Sequence, residues 1–179
     1  MATSERVRLI GGTASPYTQK MVALLRYRHI PYSIQWGDPA QLLDALGAEK
    51  PRPVFMPTFL YENDQGTLQG VCDSTPIIRR LEADYSGRSV LPPDPALAFI
   101  DYLLEDFGDE WCTKYMFHYR WHPEVDADNA GTLLPLGMDV SIESGAHKYF
   151  KDHFSKRQID RLYVVGSNDT TAPVIDASY

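Results

Sequence analysis

The first half of the chain alternates short strand-like segments with helix-like ones. Residues 7–10 alternate apolar and polar side chains until Gly11 and Gly12 interrupt them, which indicates a strand that ends in a loop. Ser15-Pro16 then has the residue types favoured at the start of a helix. The order β-α-β-α-β-β-α predicts an α/β domain built on a mixed four-stranded sheet. The predicted strands are residues 7–10, 32–36, 58–61 and 67–71, and the predicted helices are residues 16–29, 39–46 and one that begins at Asp73-Ser74.

The second half has a helical pattern. Three prolines within residues 92–95 indicate a linker, so we predict an N-terminal domain over residues 1–88, a linker over 89–95 and an all-α domain over 96–179. Apolar residues then recur every three or four positions, which predicts a long helix to about Trp121. Further predictions are a loop over residues 124–138, helices over 141–154 and 155–165 with Ser155 as the N-cap of the latter, and a short helix that starts at Thr171.

Charge and composition exclude several classes of protein. The 179 residues include 17 Lys and Arg against 24 Asp and Glu, a net charge of −7, so nucleic acid is not expected as a partner. No run approaches the roughly 20 apolar residues of a membrane span, and the polar start does not resemble a signal peptide. Cys72 and Cys112 have neither a metal-ligand nor a CxxC spacing. We therefore expect reduced thiols in a cytoplasmic protein with no membrane partner.

Three positions in the first half carry residues suited to chemistry. Ser15 precedes a helix, whose unpaired N–H groups and partial positive charge would stabilise an anion such as a thiolate. If the Met56–Pro57 peptide bond is cis, the Met56 backbone could pair with a peptide-like ligand. Asp73 and Ser74 could hold the ammonium and carboxylate groups of an amino acid. The alternatives are helix capping by Ser15, Asp73 and Ser74, and an ordinary trans proline at the start of a strand.

Taken in order, these positions resemble those of the glutathione S-transferase family, whose N-terminal domain is thioredoxin-like. Residues 15–18, Ser-Pro-Tyr-Thr, stand where glutaredoxins have Cys-Pro-Tyr-Cys. Met56-Pro57 matches the family's cis-proline before the third strand, and Asp73-Ser74 matches its acidic-Ser pair. The resemblance covers residues 7–87 and extends more loosely into the helical half. Because no cysteine stands at position 15 or 18, dithiol chemistry is not expected there.

The resemblance implies a role for each matched residue. Ser15 would donate a hydrogen bond to the glutathione thiolate, and the Met56 backbone, shaped by Pro57, would pair with the cysteinyl part. Asp73 and Ser74 would hold the γ-glutamyl end. Further candidates are the rival hydroxyls of Tyr17 and Thr13, and Arg52 and Gln69 for the rest of the tripeptide.

Aromatic residues in the helical half are candidates for an apolar pocket that accepts an electrophile. Tyr115, His118 and Tyr119 are the main ones, in a run that also contains Phe117 and Trp121, and the alternative is that they pack in the core. His118 shares a helix face with His122, four residues on, but no third ligand is apparent. We therefore expect no metal site.

The function that the resemblance implies is transfer of an alkyl or aryl group to glutathione, with glutathione as co-substrate and a small electrophile as the other substrate. The alternatives are a non-catalytic binding or dimerisation module and a glutathione-dependent lyase or reductase. The family's helical domain is usually longer, so we also expect this one to be incomplete and the chain to form a homodimer.

Overall fold

The computed structural model describes residues 6–179, which form two compact units, one that ends at Ala98 and one that spans Phe99–Tyr179. The β-α-β-α-β-β-α order and the helical second half are confirmed. The first unit contains β1 (Val7–Gly11), α1 (Pro16–Tyr27), β2 (Tyr32–Trp36), α2 (Pro39–Ala45), β3 (Thr58–Glu62), β4 (Leu68–Val71) and α3 (Ser74–Asp84). After α4 (Pro95–Asp106), the chain continues through a π-helical segment (Phe107–Cys112), α5 (Thr113–Trp121), α6 (Glu124–Met138), α7 (Ser144–Ile159), a 3₁₀ turn (Leu162–Val165) and α8 (Ala172–Ser178).

The four strands lie in the order β2-β1-β3-β4. β1 is parallel to β2 and antiparallel to β3, and β3 is antiparallel to β4, so β4 runs in the same direction as β1. Ile10 pairs with Thr58, and Phe59 pairs with Val71. The carboxyl ends of β1 and β4 and the amino end of β3 therefore meet at one edge of the sheet.

The two faces of the sheet bury different helices, because successive side chains of a strand point to opposite faces. Ile10 and Leu60 pack with Leu43 of α2 on one face. The other face packs α1 and α3 on β1 and β3, and its core consists of Val7, Leu9, Met21, Leu25, Ile30, Phe59, Ile77, Ile78 and Leu81. Helices α1 and α3 therefore lie on the same side of the sheet.

Gly11 allows the start of α1 to lie close to the end of β1. A Cβ atom at this position would come within 2.5 Å of the Thr18 Cγ2 atom, and Thr18 itself is fully buried. A larger residue would push the first turn of α1 outward. The glycine that ends the strand pattern in the sequence is thus required by packing.

A buried arginine joins the carboxyl ends of α1 and α3. Arg28 is only 5% exposed, and its guanidinium donates to the carbonyl oxygens of Leu81 at 2.7 Å, Tyr85 at 2.6 Å and Gly87 at 3.3 Å. Its Nε atom lies 3.2 Å from the Glu82 carboxylate. One cation thus joins the end of α1 to carbonyls at the end of α3 and just beyond it.

The long predicted helix of the second half is interrupted in its middle. α4 and α5 have α-helical hydrogen bonding, whereas the segment between them is π-helical. Thr113 begins α5, and its Oγ1 donates to the Asp109 carbonyl at 2.6 Å. The run ends at Trp121, which is buried and lies edge-on to Phe154 of α7.

The prediction of a loop over residues 124–138 is wrong, because this segment forms α6. Its buried residues, Ala127, Gly131 and Pro135, are spaced four apart and so lie on one face. A Cβ at Gly131 would clash with the Ser155 hydroxyl of α7. The small residues that suggested a loop are thus those that let α6 and α7 approach closely, and Pro135 is accommodated inside the helix.

The prediction of a helix break at Ser155 is also wrong. α7 runs without interruption through this residue to Ile159, and a short 3₁₀ turn follows in place of the predicted second helix. Ser155 is a small residue at the contact with α6 rather than an N-cap. The short helix predicted after Thr171 is present as α8, but the Thr171 hydroxyl donates to the Gly166 carbonyl at 2.6 Å and does not cap α8.

Replacing Arg28 with methionine should destabilise the first unit by about 3–5 kcal/mol, because the Glu82 carboxylate, whose side chain is only 12% exposed, loses its cation. Native-state hydrogen exchange of the β1 and β3 amides measures this free energy in the full chain. As a control, Arg79→Met removes an exposed charge from α3 and should change it by less than about 0.5 kcal/mol. Equal effects of the two substitutions would contradict a structural role for Arg28.

Candidate functional site

Ser15 is the N-cap of α1. Its backbone is extended, with φ −82° and ψ 118°, and its Oγ atom accepts a hydrogen bond from the Thr18 amide at 3.2 Å. The capping alternative therefore holds. A hydroxyl that accepts through its oxygen still carries one proton that it can donate. Capping and donation to an anion in front of α1 are thus compatible roles.

The Met56–Pro57 peptide bond is cis, as is Arg52–Pro53, so the trans alternative for Pro57 does not hold. Phe55, the residue before Met56, is held at the end of β4, because its amide donates to Cys72 Sγ at 3.3 Å. The Thr58 hydroxyl donates to the Phe55 carbonyl at 2.6 Å and lies 3.3 Å from the same sulfur. These bonds hold the loop before β3 beside the last residues before Asp73.

Asp73 and Ser74 begin α3. Asp73 is exposed and has a positive φ of 80°, and its Oδ1 atom accepts from the Thr75 amide at 3.3 Å. Ser74 is only 6% exposed, and its Oγ atom accepts a hydrogen bond from the Lys20 ammonium at 3.0 Å. A side chain of α1 thus reaches the first residue of α3.

The three predicted positions lie at the same end of the first unit. Ser15 follows β1, Asp73-Ser74 follows β4 and Met56-Pro57 precedes β3, and these strand ends share one edge of the sheet. Two helix N-termini therefore open at this edge, each with N–H groups directed out of the helix and a partial positive charge. This arrangement suits a ligand with anionic groups.

The secondary candidates of the first unit are more dispersed. Thr13 is exposed and its carbonyl accepts from Gln19 Nε2 at 2.8 Å, while Tyr17 is half-buried in the first turn of α1. Arg52 lines an open cleft of about 610 Å³ formed by residues 49–54, on the face of the sheet that α2 covers. Gln69 pairs with Tyr61 across the sheet and, by strand alternation, points to the other face. Arg52 and Gln69 are thus on opposite faces.

Two of the three residues predicted for an electrophile pocket bind the end of the chain. His118 is buried, with Nδ1 at 2.7 Å from the Ser167 hydroxyl. The Tyr119 hydroxyl donates to the Asp176 carboxylate at 3.0 Å. Tyr115 is half-buried. The pocket stays a prediction, and the structure adds a structural role for His118 and Tyr119.

His118 and His122 lie side by side on α5, with ring centroids 4.6 Å apart. Burial lowers the pKa of His118, the neighbouring His122 lowers it further, and Asp176 opposes both effects. His122 Nε2 lies 3.2 Å from the Asp169 carboxylate. Each imidazole thus has a partner in the segment that follows the 3₁₀ turn.

Two negative findings apply to residues 6–179. No three or more His, Cys, Asp or Glu side chains are grouped so that they could hold a metal ion. Over the same residues, every helix is too short or too polar to cross a lipid bilayer.

Two residues at the site were missed by the sequence analysis. Lys20 lies five positions after Ser15, and nothing in the sequence indicates that its side chain faces α3. Cys72 belongs to no motif in the sequence, yet it connects the loop before β3 to the start of α3. The sequence signals these two residues only by their positions. Cys72 comes directly before Asp73, and Lys20 lies about one helical turn after Ser15.

The fold and the site define a thioredoxin-like domain followed by helices. Residues 9–89 match the family model described as the N-terminal domain of glutathione S-transferase. This part of the chain is therefore similar to the N-terminal domain of that family, as the resemblance implies.

Two solved structures are similar to this chain at low sequence identity. A glutathione transferase family member from Pseudomonas fluorescens Pf-5, with bound glutathione, is 19% identical with a TM-score of 0.45, over 97% of this chain and 75% of that one. The maleylacetoacetate isomerase from Anaeromyxobacter dehalogenans 2CP-1, with bound dicarboxyethyl glutathione and citrate, is 15% identical with a TM-score of 0.47, over 96% and 83%. No curated protein sequence matches the chain.

Acid should destabilise the second unit through His118. Its folded-state pKa is below the ordinary value of 6.5, so the unfolded chain takes up the proton first as the pH falls. Stability is therefore complete above about pH 6.5 and declines as the pH falls below it toward the folded-state pKa. Hydrogen exchange of the α5 amides, corrected for intrinsic rates between about pH 7 and about pH 5, measures the decline.

The variant His118→Asn keeps a polar partner for Ser167 but cannot titrate, so part of this pH dependence should disappear. His153→Asn removes an exposed imidazole from α7 and should leave it unchanged. If both variants retain the pH dependence of the original chain, His118 is not its source.

Proposed function

We propose that this protein binds glutathione at the edge of the sheet where α1 and α3 begin, and transfers an alkyl or aryl group from an electrophile to the glutathione sulfur. The observation that carries the proposal is the meeting of Ser15, Met56-Pro57 and Asp73-Ser74 at one end of the first unit. The match of residues 9–89 to the family model supports glutathione as the ligand.

The γ-glutamyl end of glutathione is an amino acid, and the start of α3 offers a partner for each of its charges. The exposed Asp73 carboxylate pairs with the ammonium group. The Ser74 hydroxyl and the first N–H groups of α3 receive the carboxylate. The backbone of Met56 pairs with the cysteinyl residue, as an added strand pairs with a sheet edge.

This binding places the thiol in front of α1. The thiol loses its proton to solvent, and the resulting thiolate is stabilised by the helix dipole and by a hydrogen bond from the Ser15 hydroxyl. The sulfur electron pair then forms a C–S bond, and the leaving group departs with the electrons of the bond that breaks. Donors that are fixed before the reaction stabilise the anion without reorganising.

The electrophile would bind beside the sulfur. We propose that Tyr115, His118 and Tyr119 contribute to its pocket and that Arg52 or Gln69 contacts the rest of glutathione. A transferase of this kind would detoxify electrophiles in the cytoplasm.

A homodimer is the assembly that we propose. The apolar side chains of Phe99 and Leu103 on α4, and of Phe107 at the start of the π-helical segment, are about half exposed or more, and a second copy would cover them.

Replacing Ser15 tests the chemistry. Conjugation of glutathione to an aryl halide should fall about 100-fold in kcat in Ser15→Ala, with little change in the Kd for glutathione. The pKa of the bound thiol, measured from the pH dependence of kcat/KM, should rise. Since alanine also removes the helix cap, Ser15→Gly serves as a second variant, because glycine caps a helix almost as well as serine does.

Tyr17→Phe and Thr13→Ala are matched controls for the rival hydroxyls, and both should retain activity. If Tyr17→Phe loses activity and Ser15→Ala retains it, then Tyr17 rather than Ser15 stabilises the thiolate. Glutathione binding without turnover of any electrophile would establish the non-catalytic alternative. Absence of glutathione binding at millimolar concentration would overturn the proposal itself.

A further inference from the structure

One face of α4 and of the π-helical segment after it is apolar and exposed. The side chains of this α4 face recur every three or four positions, and each is at least 48% exposed: Phe99, Ile100, Leu103, Leu104 and Phe107. Asp101 and Glu105, on another side of the helix, are less exposed than these apolar residues. A surface helix normally buries its apolar side and exposes its charges, so the α4 face is expected to be covered by a partner.

The same segment is strongly acidic, which restricts what can cover it. Residues 99–112 contain five Asp or Glu residues and no Lys or Arg. Two α4 faces packed on each other would bring these carboxylates together, and like charges in an interface oppose association. The covering surface must therefore combine apolar side chains with positive charge.

The outer face of α7 has this combination. α7 contains four Lys or Arg residues against one Asp. Its inner side packs on α6, where Ser155 lies against Gly131. The residues of the outer face are spaced three or four apart and are all exposed: Tyr149, Phe150, His153 and Arg157. Aromatic and basic side chains thus share one exposed side of this helix.

Helix α3 also carries neighbouring exposed cations, Arg79 and Arg80, but it lacks the apolar part of the match. Its apolar residues, Ile77, Ile78 and Leu81, are buried beneath it in the core of the first unit. α3 therefore offers charge without apolar surface, whereas α7 offers both.

We infer that a second copy of this chain packs the outer face of its α7 on the α4 face, so that aromatic side chains cover the apolar ones and Arg157 faces the acidic residues. The inference rests on the homodimer proposed above and names the two surfaces that form it. In a two-fold dimer the contact occurs twice, because each copy contributes one α4 face and one α7. Neither face is then left open to solvent.

Salt tests the inference on the unsubstituted chain. The dimer dissociation constant is measured by sedimentation equilibrium in about 0.05 M and about 0.5 M NaCl, a change that shortens the range of charge interactions severalfold. A contact between acidic α4 and basic α7 should weaken about fivefold in the higher salt. A dimer that tightens instead would overturn the inference, because screening favours association only where like charges meet.

An exchange of charges tests which two helices meet. Asp106 is exposed at the end of α4, seven residues after Phe99 and so beside the α4 face. Asp106→Lys and Arg157→Glu should each weaken the dimer about tenfold, because each brings like charges together. The variant with both substitutions should regain most of the lost affinity, since opposite charges then face each other again.

Two control variants make the same changes of net charge elsewhere. Asp126→Lys on α6 and Arg79→Glu on α3 replace exposed residues outside the two faces, and each should leave the dissociation constant within about twofold. Far-UV circular dichroism of every variant shows whether its helices are retained. If Arg79→Glu weakens the dimer and Arg157→Glu does not, then α3 faces α4 and the inference is wrong.

The outcomes separate the inference from the proposals on which it builds. If the chain stays monomeric at the highest concentration measured, the homodimer and the inference both fail. If it dimerises but the double variant shows no rescue, the inference fails and the homodimer stands. None of these measurements uses glutathione, so a chain that dimerises as described but does not bind glutathione would overturn the proposed function alone.

Discussion

The buried guanidinium of Arg28 is the interaction on which the geometry of the first unit depends. It sits at the end of α1 and binds carbonyls at the end of α3, so the two helices are joined where both leave the sheet. Lys20 joins them again near their beginnings. The two cations are eight positions apart, about 12 Å along the helix, and the apolar contacts of Met21 and Leu25 lie between them. Helix α3 is therefore held to α1 at both ends.

The consequence for function is that two helix N-termini keep a fixed separation. Because β4 runs in the same direction as β1, both helices begin at one edge of the sheet, and the loop before β3 lies between them. Each N-terminus favours negative charge, and a ligand with a carboxylate at one end and a thiolate further on would use both. Arg28 lies at the other end of these helices, yet by joining them it sets the distance between their N-termini.

The second unit achieves close packing by different means. α6 and α7 approach through small residues at Gly131 and Ser155, and α5 holds the last segment of the chain through His118 and Ser167. Side chains that looked suited to a substrate pocket thus also serve to fix the chain's end. The same residues link the stability of this unit to pH, because a buried imidazole resists protonation.

The sequence by itself determined the order of elements in the first unit, since strand alternation, glycine breaks and N-caps such as Ser15 are local signals. It also identified the candidate site residues at three strand ends, which are Ser15, Met56-Pro57 and Asp73-Ser74. Only the tertiary structure decided that residues 124–138 are helical, because glycine and proline disfavour a helix locally while close packing against α7 favours one here. The contact between Lys20 and Ser74 was also decided by the tertiary structure. Which side chain of α1 faces Ser74 depends on how two helices pack on one sheet, and no local pattern in the sequence indicates it.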